Sequence, residues 1–206
     1  MKKILAVFAL LVLCCGLFLC CVQTKEEPRL DELQIEALRE RYPVYTQDPP
    51  TVDTYPVPFE KLCKRIDTFA YVEITGEIQY YSKYISMGDA AWDAKNGSAS
   101  SFYEYPAVVI DDTEKLFEQG EEITIASNMM FYGYKPELSP GMKVVFAATG
   151  EWHKPKQYGF SKIGTYYITE DGFALSAFDE KLYQMKKPLS GVTLKTLMRE
   201  LHKMLG

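Results

Sequence analysis

Residues 70–81, AYVEITGEIQYY, decide the fold. Ala70, Val72, Ile74, Gly76, Ile78 and Tyr80 alternate with Tyr71, Glu73, Thr75, Glu77, Gln79 and Tyr81. A period of two sends alternate side chains to opposite faces, so this is a long, half-buried strand, and Gly76 is where it can bend sharply. Working outward, Tyr103–Ile110, Glu122–Ala126 and, after the Pro140-Gly141 turn, Lys143–Ala148 read as further strands. Thr165–Ile168 runs through Asp171-Gly172 into Phe173–Ala177, the signature of a tight hairpin. Short strands without helical crossovers predict a mainly β domain, a five- to six-stranded antiparallel barrel or sandwich. Thr193 is placed to cap a closing helix whose Leu194, Leu197, Met198, Leu201 and Leu205 share one face. That face is suited to covering an open end of the barrel.

Upstream lies a different kind of sequence. From Ile4 to Val22 no charge interrupts ILAVFALLVLCCGLFLCCV. A helix of that length reaches roughly 28 Å, close to the hydrocarbon thickness of a bilayer. Lys2 and Lys3 before it, and the mixed Lys25, Glu26 and Glu27 after it, favour a cytoplasmic N-terminus and an extracytoplasmic body. Three fates stay open: a retained transmembrane anchor, a lipoprotein signal modified on Cys14, Cys15, Cys20 or Cys21, and a cleaved signal peptide. No A-x-A-like cleavage site is present; Cys14 and Cys20 each follow a leucine, and Cys15 and Cys21 each follow another cysteine. The chain therefore divides into an anchor or signal at 1–23, a stalk at 24–58 and the β domain at 59–206. Within the stalk, Leu30, Leu33, Ile35 and Leu38 among charged residues give a short amphipathic helix. Pro43, Pro49, Pro50, Pro56 and Pro58 then favour an extended, semi-rigid spacer.

Composition narrows the function. The chain is 47% hydrophobic and 14% aromatic, enough for one core, and its 28 acidic residues outnumber 23 basic ones. An acidic body with scattered Lys and Arg repels a polyanion, so nucleic acid is not the expected partner. Cys63 is the one cysteine outside the apolar run and sits among Phe59, Leu62 and Ile66, which predicts a buried thiol and no internal disulfide.

The succession YVEITGEIQYY, YPAVVID, GEEITIA, SPGMKVVFAA and GTYYITEDGFAL, followed by a Leu-rich helix, resembles an OB-fold-type barrel. It is similar to the small membrane-tethered or lipoprotein domains of Gram-positive bacteria that have no assigned activity. The likeness covers residues 68–178 and implies an OB-like barrel without implying a reaction. More distantly it is similar to netrin-like and metalloproteinase-inhibitor modules. Those inhibitors present a disulfide-bonded N-terminal cysteine to a metal, which this body lacks.

Residues for catalysis are sparse. There is no G-x-S-x-G and no S-x-x-K, and the only histidines are His153 and His202. His153 lies in the loop Glu151-Trp152-His153-Lys154, and one histidine with one glutamate does not make a metal site. Neither Asp111-Asp112 nor Glu121-Glu122 converges, because neighbours on a strand face opposite ways. Residues 89–97 fail as a calcium loop, since Lys95 stands where an oxygen ligand is needed. No metal or other cofactor is implied. The aromatic loops remain: Tyr84 and Trp92 in one, Phe131, Tyr132 and Tyr134 in a second, Trp152, His153 and Tyr158 in a third. If they share a rim, they form a contact surface for an envelope protein, peptide or glycan. The sequence thus predicts a non-enzymatic binding module, tethered through residues 4–22 and facing the extracytoplasmic side. The alternative is a cell-envelope hydrolase using His153 with a loop carboxylate.

Overall fold

The computed structural model describes residues 27–52, 55–84 and 99–206. In chain order the elements are α1 (Glu32–Leu38), α2 (Phe59–Cys63), β1 (Thr68–Ile74), β2 (Gln79–Tyr84), β3 (Ala99–Asp112), β4 (Glu122–Asn128), β5 (Lys143–Ala148), β6 (Gln157–Gly159), β7 (Tyr166–Ile168), β8 (Ala174–Ser176) and α3 (Leu194–Leu205). The strands form one eight-stranded sheet in the order β6-β4-β3-β1-β5-β7-β8, with β2 paired to β3 beside β1. Every described pairing is antiparallel except β4 with β6.

The expected long strand is present but broken. β1 pairs with residues 107–112 of β3 and β2 with residues 99–104, so the gap falls at Pro106, which has no N–H to donate. Gly76 lies over that proline. A Cβ there would sit 3.0 Å from Pro106 Cγ, so the bend needs glycine.

The mainly β class is as expected; the closed antiparallel barrel is not. The sheet is mixed and open, because both of its ends are otherwise occupied. At one end, β6 is three residues long and runs parallel to β4. At the other, the β8 edge is taken by local chain: Ala174 N–H donates to Val192 O, Gly191 N–H donates to Ala174 O, and Phe173 bridges Thr193. A strand edge already paired this way has no groups left with which to close a cylinder.

Both faces of the sheet are covered. On one, Ala70, Val72, Ile74, Tyr105, Val144, Phe146, Tyr167 and Leu175 make a core against which Leu30, Ile35 and Leu38 pack. On the other, Phe69, Val145 and Tyr166 meet Phe59 and Cys63 of α2 and Leu197 and Leu201 of α3. Thr193 caps α3 as the sequence predicts, its side chain accepting from Thr196 N–H. Cys63 is 1% exposed, and burial pushes its thiol up to about 11.

Much of the segment expected to be a free stalk lies on the domain. Arg29 bridges Val192, Leu30 N–H donates to Gly191 O, the Arg39 guanidinium donates to Ser176 O at 2.9 Å, and Tyr45 N–H donates to Ala177 O. Farther along, Asp48 pairs with Lys162 at 2.8 Å. No helix among the described residues is long and apolar enough to cross a membrane. The run 4–22 and Cys14, Cys15, Cys20 and Cys21 lie outside the described residues, as does Trp92.

Candidate functional site

A groove of about 390 Å³ opens between α2, the ends of β4 and β5, and the chain around β6. Its walls are apolar and aromatic, drawn from Phe59, Leu62, Phe131, Trp152, Phe160 and Ile163. Trp152 is 40% exposed here, a large indole left partly in water beside apolar neighbours. Among the described residues the groove's charged lining residues are Arg65 and Lys135, and no carboxylate joins them. In a chain with more acidic than basic residues, this is a local reversal of sign.

Three elements build the groove. α2 presents Phe59, whose ring stacks on Phe178 at 5.4 Å. β4 ends in a 3₁₀ turn, Met129–Phe131, capped by the Asn128 side chain, and this delivers Phe131. The loop before β6 delivers Trp152, whose ring meets Phe102 edge-on at 5.4 Å and stacks on His153 at 4.0 Å.

A buried polar chain holds that loop. Gln157, 0% exposed, donates through Nε2 to Glu104 Oε2 at 2.5 Å and to the Tyr81 hydroxyl at 3.1 Å. Its Oε1 accepts the His153 N–H at 3.2 Å. Lys154 closes the chain on Glu104 Oε1 at 2.7 Å. The Tyr81 oxygen accepts from Gln157 and hydrogen-bonds His153 Nδ1 at 3.3 Å. Burial, and after it the charge of Lys83, holds His153 below the usual histidine range.

At the inner end of the groove is Lys135. Its Nζ donates to Ser127 Oγ at 2.6 Å and to Phe160 O at 2.5 Å, and lies 4.3 Å from the Phe131 ring centre. Burial, with the neighbouring Lys162 charge and against the pull of Asp48, brings its ammonium down to about 8.

The structure brings only some of the predicted residues together. Phe131 and Trp152 share the groove, with His153 stacked behind Trp152. Tyr132 instead packs edge-on against Tyr103 at 5.6 Å and hydrogen-bonds Tyr80. Tyr84 is 49% exposed at the end of β2, and Tyr134 is half-buried and outside the groove lining. Tyr158 packs on Phe117 at 5.0 Å and lines a different hollow. Among the described residues, Tyr132, Tyr134 and Tyr158 do not join Phe131 and Trp152 in one groove, and Trp92 lies outside the described residues. Ser127, Lys135, Arg65 and Phe59 were not singled out from sequence. No motif marks them, because their proximity depends on strand pairing across long separations. His202 is an exposed partner of Glu114 at 2.6 Å. Among the described residues no group of three or more His, Cys, Asp or Glu is placed to hold a metal ion. No family model matches the chain, and neither does any curated protein.

Proposed function

We propose that the protein is a binding module, anchored in the membrane through residues 4–22 with its domain on the extracytoplasmic side, and that its ligand is an apolar molecule carrying a carboxylate. One observation carries the choice of ligand: an aromatic groove whose charged lining among the described residues, Arg65 and Lys135, is positive. Apolar walls supply affinity through area removed from water, while a partly desolvated cation selects the anionic end. Two of the three Lys135 donors have acceptors among the described residues, and the third is the one this reading gives to the ligand's carboxylate. The hydrolase reading built on His153 finds less support. Among the described residues, what meets its ring is the Tyr81 hydroxyl, Trp152 and Phe102, and no carboxylate.

Placement is tested by cysteine labelling in intact cells. Leu33 is 83% exposed and Cys63 is 1% exposed. Leu33→Cys is expected to react with a membrane-impermeant maleimide before lysis, in a background with Cys14, Cys15, Cys20 and Cys21 changed to Ser. Labelling only after lysis would place the domain in the cytoplasm.

A further inference from the structure

We propose that Ser127 and Lys135 form an acyl-transfer pair that cleaves esters of apolar carboxylic acids in this groove. The inference rests on the groove reading above and goes beyond it: the bound apolar carboxylate would be the product of the reaction.

Geometry comes first. Ser127 Oγ and Lys135 Nζ are 2.6 Å apart, within the reach a base needs to accept the hydroxyl proton. Phe160 O accepts from the amine at 2.5 Å and fixes its position. The Ser127 hydroxyl also donates to the Tyr103 oxygen, so its proton must turn from Tyr103 to the amine once Lys135 is neutral. Ser127 and Lys135 both line the groove. Ser127 is 2% exposed, at the groove floor, so only a substrate seated among the aromatic walls reaches it.

Protonation agrees. The charged groups facing Lys135 are Lys162, which lowers its basicity, and Asp48, which opposes that effect, while Arg65 is the other charge lining the groove. Lys162 is itself held by Asp48 at 2.8 Å and Gln47 O at 2.6 Å, so the docked N-terminal segment completes the electrostatics of the pair. An amine that loses its proton near pH 8 is a usable base under mildly alkaline conditions.

The reaction balances with water as the second substrate. Neutral Lys135 takes the Ser127 proton as Oγ bonds to the ester carbonyl carbon. The tetrahedral intermediate then expels the alkoxide, which leaves with the proton from Lys135. Water, deprotonated by Lys135, attacks the acyl-serine. Breaking the Oγ–acyl bond releases the carboxylic acid, and the proton returns to Ser127.

The test uses the full chain in nanodiscs, treated with an alkyl fluorophosphonate and mapped by mass spectrometry. The expected result is one adduct on Ser127, forming faster as pH rises through about 8. Ser127→Ala should abolish it, and Lys135→Arg, which keeps a cation beside Phe160 O, should slow it by roughly 100-fold or more. Thermal unfolding verifies that both variants fold, and the wild-type adduct site is decisive without them. No adduct, an adduct on another serine, or a rate unchanged in Lys135→Arg would overturn the proposal. Binding of 4-phenylbutyrate to Ser127→Ala separates the two readings: retained binding without an adduct leaves a binding groove and removes the reaction.

Discussion

The Gln157 side chain donates to Glu104 Oε2 at 2.5 Å in a place where Gln157 is 0% and Glu104 5% exposed. This bond joins β6, the parallel strand at the end of the sheet, to β3 beneath the groove loop. Gln157→Leu would leave the Glu104 carboxylate with Lys154 alone and free the His153 N–H from its acceptor. The expected loss is about 1.5–3 kcal/mol in urea unfolding, the range for removing one hydrogen bond from a buried charged group that keeps its other partner. A loss under about 0.5 kcal/mol would mean that the network does not hold the loop.

Gly191 and the docked N-terminal segment make a second test. Gly191 has φ +86°, and a Cβ there would fall 2.9 Å from Ile35 Cδ1 and 3.0 Å from Leu30 O. Gly191→Ala should destabilise the domain by about 2–3 kcal/mol through strained backbone and displaced α1. Faster hydrogen exchange over residues 30–42 should accompany the loss. Unchanged exchange there would show that the segment does not depend on this contact.

Glu180 predicts a pH effect with a definite sign. It is 7% exposed and accepts from Leu189 N–H at 2.6 Å, yet burial outweighs its hydrogen bonds and raises its pKa above 4.5. The folded protein therefore keeps a proton that the unfolded chain has lost. The stabilisation from this group is complete below 4.5 and is lost as pH rises through the raised folded value. The stability of wild type relative to Glu180→Gln should accordingly fall as pH rises through that window. A difference that stays constant or grows would contradict the assignment.

Asp112 works in the opposite direction. Burial alone would raise its pKa, but the Thr68 hydroxyl and the N–H groups of Leu116, Phe117 and Glu114 together hold it below 3.8. Its contribution is present above 3.8 and lost as pH falls through the lower folded value. Asp112→Ala should cost about 2–3 kcal/mol at neutral pH, because the buried Thr68 hydroxyl and three part-buried loop N–H groups lose their acceptor. That penalty should shrink in acid. A penalty independent of pH would show that the carboxylate charge is not what the loop requires.

The parts of the fold written in local periodicity were legible. Ala70, Val72 and Ile74 alternate on the chain and are buried together, and Thr193 caps α3 where its sequence context places it. What was missed depends on distant partners. Proline density made residues 43–58 read as a spacer, whereas Tyr45 and Lys162 tie the adjoining backbone to the domain through Ala177 and Gln47. β6 is three residues long and carries no alternation to detect. The sheet stays open because residues 191–193, which have no strand pattern of their own, occupy the β8 edge.

The site was legible in the same proportion. Phe131 and Trp152 stood out as aromatic residues in loops, and both line the groove. Lys135 did not, since nothing beside it in sequence foretells burial against Ser127 and Phe160, and a lysine between Tyr134 and Pro136 reads as solvated. Tyr158, close to Trp152 in sequence, lies on β6 and packs on Phe117 instead of lining this groove.

Titration calorimetry of 4-phenylbutyrate into the full chain in nanodiscs, with empty nanodiscs as reference, tests the groove most directly. The account predicts saturable one-to-one binding that weakens as pH rises through about 8, where Lys135 gives up its charge. Trp152→Ala should weaken it by about tenfold, equivalent to ~1.4 kcal/mol. Heats equal to those of empty nanodiscs, or binding indifferent both to Trp152→Ala and to pH, would contradict it.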